Sequence, residues 1–138
     1  MQKQYETIQF FLPMNPPTAT QQMHQVNVRS GKPRFYEPEN VQAARAKLTG
    51  ALYPYRPETP LTGGVRLMVK WCFPCAGTRH HNGEWRVTPP DTDNLQKLLK
   101  DVMTESLFWK DDALVCSEIV EKFWAEVPGI FIKLESVS

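Results

Sequence analysis

Residues 65–73 alternate without a break. Val65, Leu67, Val69, Trp71 and Phe73 fall on one side, and Arg66, Met68, Lys70 and Cys72 on the other. A period of two sends successive side chains to opposite faces of an extended strand, so this stretch predicts a strand with one apolar face that must be covered. The cover is encoded further on. From Asp93 to Ser106 the apolar residues are Leu95, Leu98, Leu99, Val102 and Met103, the i, i+3, i+4, i+7, i+8 pattern of a helix with one buried face. Together they restrict the chain to a sheet with helices packed against it.

The remaining signals extend that plan. Thr7 to Leu12 alternates, with Ile8, Phe10 and Leu12 on one face, and predicts an opening strand ended by Pro13-Met14-Asn15-Pro16-Pro17-Thr18. Val26 to Arg29 and Lys32 to Tyr36 flank Ser30-Gly31 and read as a hairpin. Pro38 suits the first turn of a helix, where its missing N–H is not needed. Behind it Val41, Ala44, Leu48 and Leu52 form an apolar stripe, and Pro54, Pro57 and Pro60 stiffen the following link. Leu114 to Trp124 and Ile130 to Leu134 predict two closing strands around a turn at Pro128-Gly129. The order strand, hairpin, helix, strand, helix, strand, strand implies an α+β fold. It is a single domain over residues 1–138, with a mixed or antiparallel sheet packed by two main helices.

Composition narrows the functional classes. With 41% hydrophobic residues and four Trp in 138 residues, the chain can bury a sizeable core and is no disordered segment. No stretch approaches the roughly 18 apolar residues of a membrane span, and Met1-Gln2-Lys3-Gln4-Tyr5 shows no signal-peptide core. Three cysteines without an export signal point to a reducing cytoplasm rather than a disulfide framework. The net charge is only +1, but it is unevenly spread: residues 1–90 carry 11 Lys/Arg against 5 Asp/Glu, and residues 91–138 carry 5 against 10. A basic body with one acidic segment suits a protein that holds phosphates and binds a metal ion at one place. The plain alternative is a solvated surface of uneven charge.

The acidic segment is ordered in itself. Asp91-Thr92-Asp93-Asn94-Leu95-Gln96-Lys97 opens the second helix, and Asp111-Asp112 follows the helix end. Asp93, Lys97 and Asp101 recur at i, i+4, i+8 and line a face other than the apolar stripe. Singly, each aspartate has an ordinary explanation. Asp93 caps free helix N–H groups, Asp91 is a turn residue after Pro89-Pro90, and Asp111-Asp112 is a polar turn before a strand. Four aspartates at two adjoining boundaries, beside a projecting lysine, read together as an oxygen-donor site for Mg²⁺. Beside a phosphodiester such a site suggests metal-assisted hydrolysis.

Other metal motifs fit less well. An EF-hand is excluded, because Leu95, Gln96 and Val102 stand where its loop needs an acid or Asn, Gly and Glu. A sugar-nucleotide transferase built on D-x-D needs a far longer chain. Cys72, Cys75, His80 and His81 supply enough donors for zinc, but Cys72 lies within a strand and the Cys-to-His spacing is unusual.

The segment resembles one family in particular. Asp91-Thr92-Asp93-Asn94-Leu95-Gln96-Lys97, then Phe108-Trp109-Lys110-Asp111-Asp112, is similar to the signature of RusA-type Holliday junction resolvases, D-x-D-N-L-x-K followed after the helix by aromatic-x-D-D. The resemblance is strong over residues 91–124 and weaker elsewhere, although the opening strand with its proline-rich turn and the helix after Pro38 are also similar. Lys122 falls where the family tends to place a lysine. Two departures stand out. The family often has an arginine-rich run before its first aspartate, where this chain has Glu84-Trp85-Arg86-Val87-Thr88-Pro89-Pro90. It also commonly places an acid where Ser117 stands here, the nearest acid being Glu118.

What the resemblance implies is specific. It implies an intertwined homodimer that acts as a Mg²⁺-dependent endodeoxyribonuclease, with Mn²⁺ able to substitute. Its substrate is four-way branched DNA, resolved by paired symmetric nicks in recombination and repair. No nucleotide cofactor and no membrane are involved, and the setting is a bacterial or prophage cytoplasm. Position by position, Asp91, Asp93 and Asp112 are the metal-binding catalytic carboxylates, Asp111 assists from the same turn, and Lys97 stabilises phosphate charge or orients water. Arg29, Lys32 and Arg34 on the hairpin, with Arg79 and Arg86 on the loop, are candidates for DNA-backbone contacts. Phe108 and Trp109 are expected in the core, the alternative being a stack on a base at the junction centre. The alternatives are a non-catalytic branched-DNA-binding protein, which the full acidic set disfavours, and a flap or branched-DNA nuclease with the same site.

Overall fold

The computed structural model describes residues 6–19, 25–29 and 32–137, and for residues 25–29 and 32–36 the backbone only. In chain order the elements are β1 (Thr7–Pro13), β2 (Gln25–Arg29), β3 (Lys32–Tyr36), α1 (Glu39–Leu52), β4 (Val65–Pro74), α2 (Thr92–Glu105), β5 (Val115–Ala125) and β6 (Gly129–Ser136). Short 3₁₀ turns follow α1 at Tyr53–Tyr55 and precede β5 at Asp112–Leu114. The expected order of elements is reproduced, with each boundary within a residue or two of the sequence pattern.

The sheet is mixed, in the order β1-β6-β4-β5. β6 runs antiparallel to both β1 and β4, whereas β5 runs parallel to β4. The hairpin β2–β3 forms a separate two-stranded sheet with Gln25 opposite Tyr36. Its Ser30-Gly31 tip lies outside the described residues.

The alternation along β4 decides where the core lies. Val65, Leu67, Val69 and Trp71 are completely buried, as are Ile130, Ile132 and Leu134 of β6. These side chains meet Leu48 and Leu52 of α1 and the whole stripe Leu95, Leu98, Leu99, Val102 and Met103 of α2. Both helices therefore pack on one side of the sheet. Burying each such side chain contributes about 1.5–3 kcal/mol. Phe108 and Trp109 are fully buried, as expected. The Trp109 indole N–H donates to Thr104 Oγ1 at 2.7 Å. No helix among the described residues is long and apolar enough to cross a membrane.

The end of α2 aims the second acidic pair. Phe108 N–H donates to Met103 O at 3.0 Å and Leu107 N–H to Thr104 O at 3.1 Å, the two bonds of a Schellman turn. The turn needs a left-handed residue after the cap, and Leu107 occupies it with φ 65°. Glycine is the usual residue there, because a Cβ in this region costs about 1–2 kcal/mol. Leu107 is 56% exposed, so its side chain recovers little by packing. Leu107→Gly is expected to stabilise the protein by about 1 kcal/mol, a rise of roughly 3–4 °C in the midpoint of thermal denaturation followed by circular dichroism.

Candidate active site

The site is assembled where the start of α2 meets the start of β5. Asp91 precedes the first helical turn, and its main-chain carbonyl accepts the Leu95 N–H at 3.1 Å. Its carboxylate makes no capping bond, although it stands at the N-cap position. Asp93 is exposed in the first turn. Lys97, one turn on, extends into solvent with its side chain 57% exposed and its Nζ 3.2 Å from Asp101 Oδ1.

From the other side the 3₁₀ turn presents Asp112, and β5 presents Glu118 and Val120. These residues and Asp93, Gln96, Lys97 and Lys100 of α2 enclose an open cleft of about 260 Å³. The neighbouring Asp111 is used differently: its Oδ1 accepts the Ala113 N–H at 2.8 Å and holds the turn. The cleft thus joins three of the residues expected to act together, Asp93, Lys97 and Asp112. Asp91 is not among the residues that line the cleft, and its charge favours the charged form of Lys122. Sequence reasoning passed over Gln96 and Glu118 as site residues. No motif marks them, and a strict strand alternation counted from Val115 turns Glu118 away from α2.

Among the described residues no three His, Cys, Asp or Glu side chains converge closely enough to hold a metal ion as they stand. The carboxylates share a cleft rather than a point. The donor chemistry nonetheless fits Mg²⁺, which is bound through one or two carboxylates plus substrate phosphates and keeps several waters, and so needs an open site.

The loop leading to Asp91 is fixed by two cations. Residues 83–86 run along the free edge of β5, with Gly83 N–H donating to Trp124 O at 2.8 Å, Trp124 N–H to Glu84 O at 2.8 Å and Arg86 N–H to Lys122 O at 3.0 Å. The Arg86 guanidinium lies between the rings of Phe73 and Trp124, 4.2 and 4.5 Å from their centroids. It donates to Pro89 O at 2.6 Å, and burial lowers its pKa from the ordinary arginine value. Lys122 Nζ donates to Thr88 O at 2.8 Å and Pro90 O at 2.7 Å. Desolvation and the nearby Arg86 charge push its pKa down, while Asp91 pulls it up.

The remaining candidates are dispersed. Arg79 is exposed on the loop. The side chains of Arg29, Lys32 and Arg34 lie outside the described residues. His80 stacks on Trp124 with ring centroids 4.1 Å apart, and its Nδ1 pairs with Glu84. Cys72 and Cys75 are half-buried free thiols, and burial raises the Cys72 pKa.

The family model for endodeoxyribonuclease RusA matches residues 13–135. The chain belongs to the RusA endodeoxyribonuclease family. The match reaches well beyond the segment that carries the motif, from the end of β1 to β6. Membership indicates an endodeoxyribonuclease, a hydrolase, in a family whose resolvases are generally divalent-metal dependent and act on branched DNA junctions. The chain is also similar to the uncharacterized protein YqaN of Bacillus subtilis (strain 168), with 28% identity over 122 residues that span 81% of this chain and 85% of that protein.

The two bonds from Lys122 to the loop carbonyls are charge-assisted. Lys122→Met keeps the aliphatic stem and removes both. It is expected to lower the unfolding free energy by about 1–2 kcal/mol in urea denaturation and to loosen the Thr88–Pro90 segment in hydrogen exchange.

Proposed function

We propose that this RusA-family protein is a Mg²⁺-dependent, structure-selective endodeoxyribonuclease that resolves four-way DNA junctions by paired symmetric nicks. It works as a homodimer in the recombination and repair of a bacterial or prophage genome. The observation that carries this proposal is the cleft in which Asp93 and Lys97 of α2 face Asp112 of the turn before β5. Asp91, Asp93 and Asp112 would hold the ion, with Asp111 supporting the turn that presents Asp112. When bound, Mg²⁺ or Mn²⁺ supplies a more acidic coordinated water and offsets charge on the phosphate oxygens.

The chain's own residues do the rest. Lys97 reaches from the cleft wall into solvent, where its ammonium meets the non-bridging oxygens of the scissile phosphate as their charge grows. Asp101 restrains its swing. Lys122 and Arg86 hold the Thr88–Pro90 segment and so set where Asp91 enters the site. Arg29, Lys32, Arg34 and Arg79 take the phosphate backbone of the junction arms. Arg86, enclosed by Phe73 and Trp124, acts on DNA by buttressing the loop. A two-fold dimer presents two clefts to the near-symmetric strands of a junction, which accounts for paired nicks.

The proposal is tested with a labelled mobile four-way junction beside linear-duplex and flap controls, each with Mg²⁺ and with EDTA. Symmetric, Mg²⁺-dependent nicks confined to the junction are expected. Asp93→Asn and Asp112→Asn abolish them, and Lys97→Ala slows them about 10²–10³-fold. Asp111→Asn retains most of the activity, because an asparagine Oδ1 still accepts the Ala113 N–H. Preferential cutting of flaps makes the protein a flap nuclease with the same site, and tight junction binding without cleavage under any divalent ion overturns the enzyme.

A further inference from the structure

β5 contains an irregularity at the point where it enters the cleft. Val115 pairs with Val65, but the next residue of β4, Arg66, pairs with Ser117, so Cys116 is left without a partner on β4. This is a β-bulge, which inserts one residue and reverses the alternation beyond it. Without it, alternation from Val115 would put Ser117 on the side of α2 and turn Glu118 to the far side. With it, Ser117 goes to the far side, where its Oγ accepts from Arg66 Nε at 3.2 Å. Glu118, opposite Leu67, goes to the side of α2 and into the cleft.

Glu118 is also held there from beneath. Gln96 is only 3% exposed, and its Oε1 accepts the Trp71 indole N–H at 2.8 Å. An indole nitrogen only donates, so this bond fixes which way the amide faces. The NH₂ end is therefore directed at the cleft, and it donates to Glu118 Oε2 at 2.7 Å. Lys100 Nζ lies 3.2 Å from Oε1. A carboxylate offers about four acceptor positions, so each oxygen keeps one beyond these bonds, in a residue that lines the same cleft as Asp93 and Asp112.

We infer that Glu118 is a further carboxylate of the metal site, aimed by the bulge at Cys116 and oriented by Gln96 as a positioning residue. The inference rests on the proposed metal-dependent nuclease. Trp71 lies in the core, so the chain Trp71–Gln96–Glu118 ties the far wall of the cleft to the central strand. It would keep one carboxylate in place for an ion held together with Asp93 and Asp112. Lys100 balances the Glu118 charge in the cleft as it stands.

The test measures metal binding rather than cleavage: titration of the purified protein with Mn²⁺, with the free ion read by electron paramagnetic resonance and the fold checked by circular dichroism. Glu118→Gln keeps the side-chain shape and an acceptor for Gln96, and is expected to weaken Mn²⁺ binding by about 10–100-fold. The double change Ser117→Glu with Glu118→Ser keeps the charge but moves the acid to the far face, and is expected to weaken binding equally. Gln96→Met, which cannot donate, gives a smaller loss, with an altered metal-concentration dependence of cleavage. If Glu118→Gln and the exchanged pair bind Mn²⁺ as wild type does while Asp112→Asn does not, the inference is overturned and the nuclease proposal stands. If the wild-type protein neither binds Mn²⁺ nor cuts branched DNA, the nuclease proposal fails and this inference falls with it.

Discussion

The parallel pairing of β4 and β5 is the constraint from which the site follows. Antiparallel neighbours can be joined by a tight turn, but parallel ones need a crossover long enough to return the chain to the same end of the sheet. Here the crossover is residues 75–114, and it carries the loop, α2 and the 3₁₀ turn that bear Asp91, Asp93, Lys97 and Asp112. The helix must lie across the sheet to bury Leu95, Leu98, Leu99, Val102 and Met103. Once it does, its polar side borders the first residues of β5. The acidic cleft is the seam between a helix that has to cross and the strand it has to reach.

The energetics of that seam divide cleanly. One side of α2 is apolar and fully buried, and it supplies the stability. The cleft side holds exposed or half-buried charged groups, with Gln96 as the one buried polar side chain between them. A buried amide is tolerated only when its hydrogen bonds are made, and Gln96 makes them to a tryptophan below and a glutamate above. Chemistry and packing are thus connected through a single side chain.

Much of this was legible in the sequence, because most of the fold is periodic. The strict alternation of Val65 to Phe73 and the stripe from Leu95 to Met103 each allow one structure, and the mixed sheet with two helices follows their order. The motif around Asp91 and Asp112 could be located because its residues are adjacent in sequence. What was hidden depends on partners far apart in the chain. Glu118 points into the cleft because of one unpaired residue, Cys116, which no periodicity reveals. Arg86 looked like a basic residue free to meet DNA, yet Phe73 and Trp124 enclose it, and the composition of its own segment gives no sign of that. Asp111 and Asp112 are indistinguishable as letters, but the backbone N–H of Ala113 separates their roles.

The anchoring of residues 83–86 to the edge of β5 has a consequence for how such a protein can diversify. Upstream of that anchor and of His80, which stacks on Trp124, residues 76–79 form an exposed tip that carries Arg79, with Gly77 at positive φ. Lengthening a surface tip costs little, since closure entropy grows only with the logarithm of loop length. Any added residues are absorbed before the chain reaches Trp124 and Lys122, so they do not displace Asp91. The tip can therefore change in length and sequence while Asp91 keeps its place beside the acidic cleft, so the surface presented there varies independently of the seam.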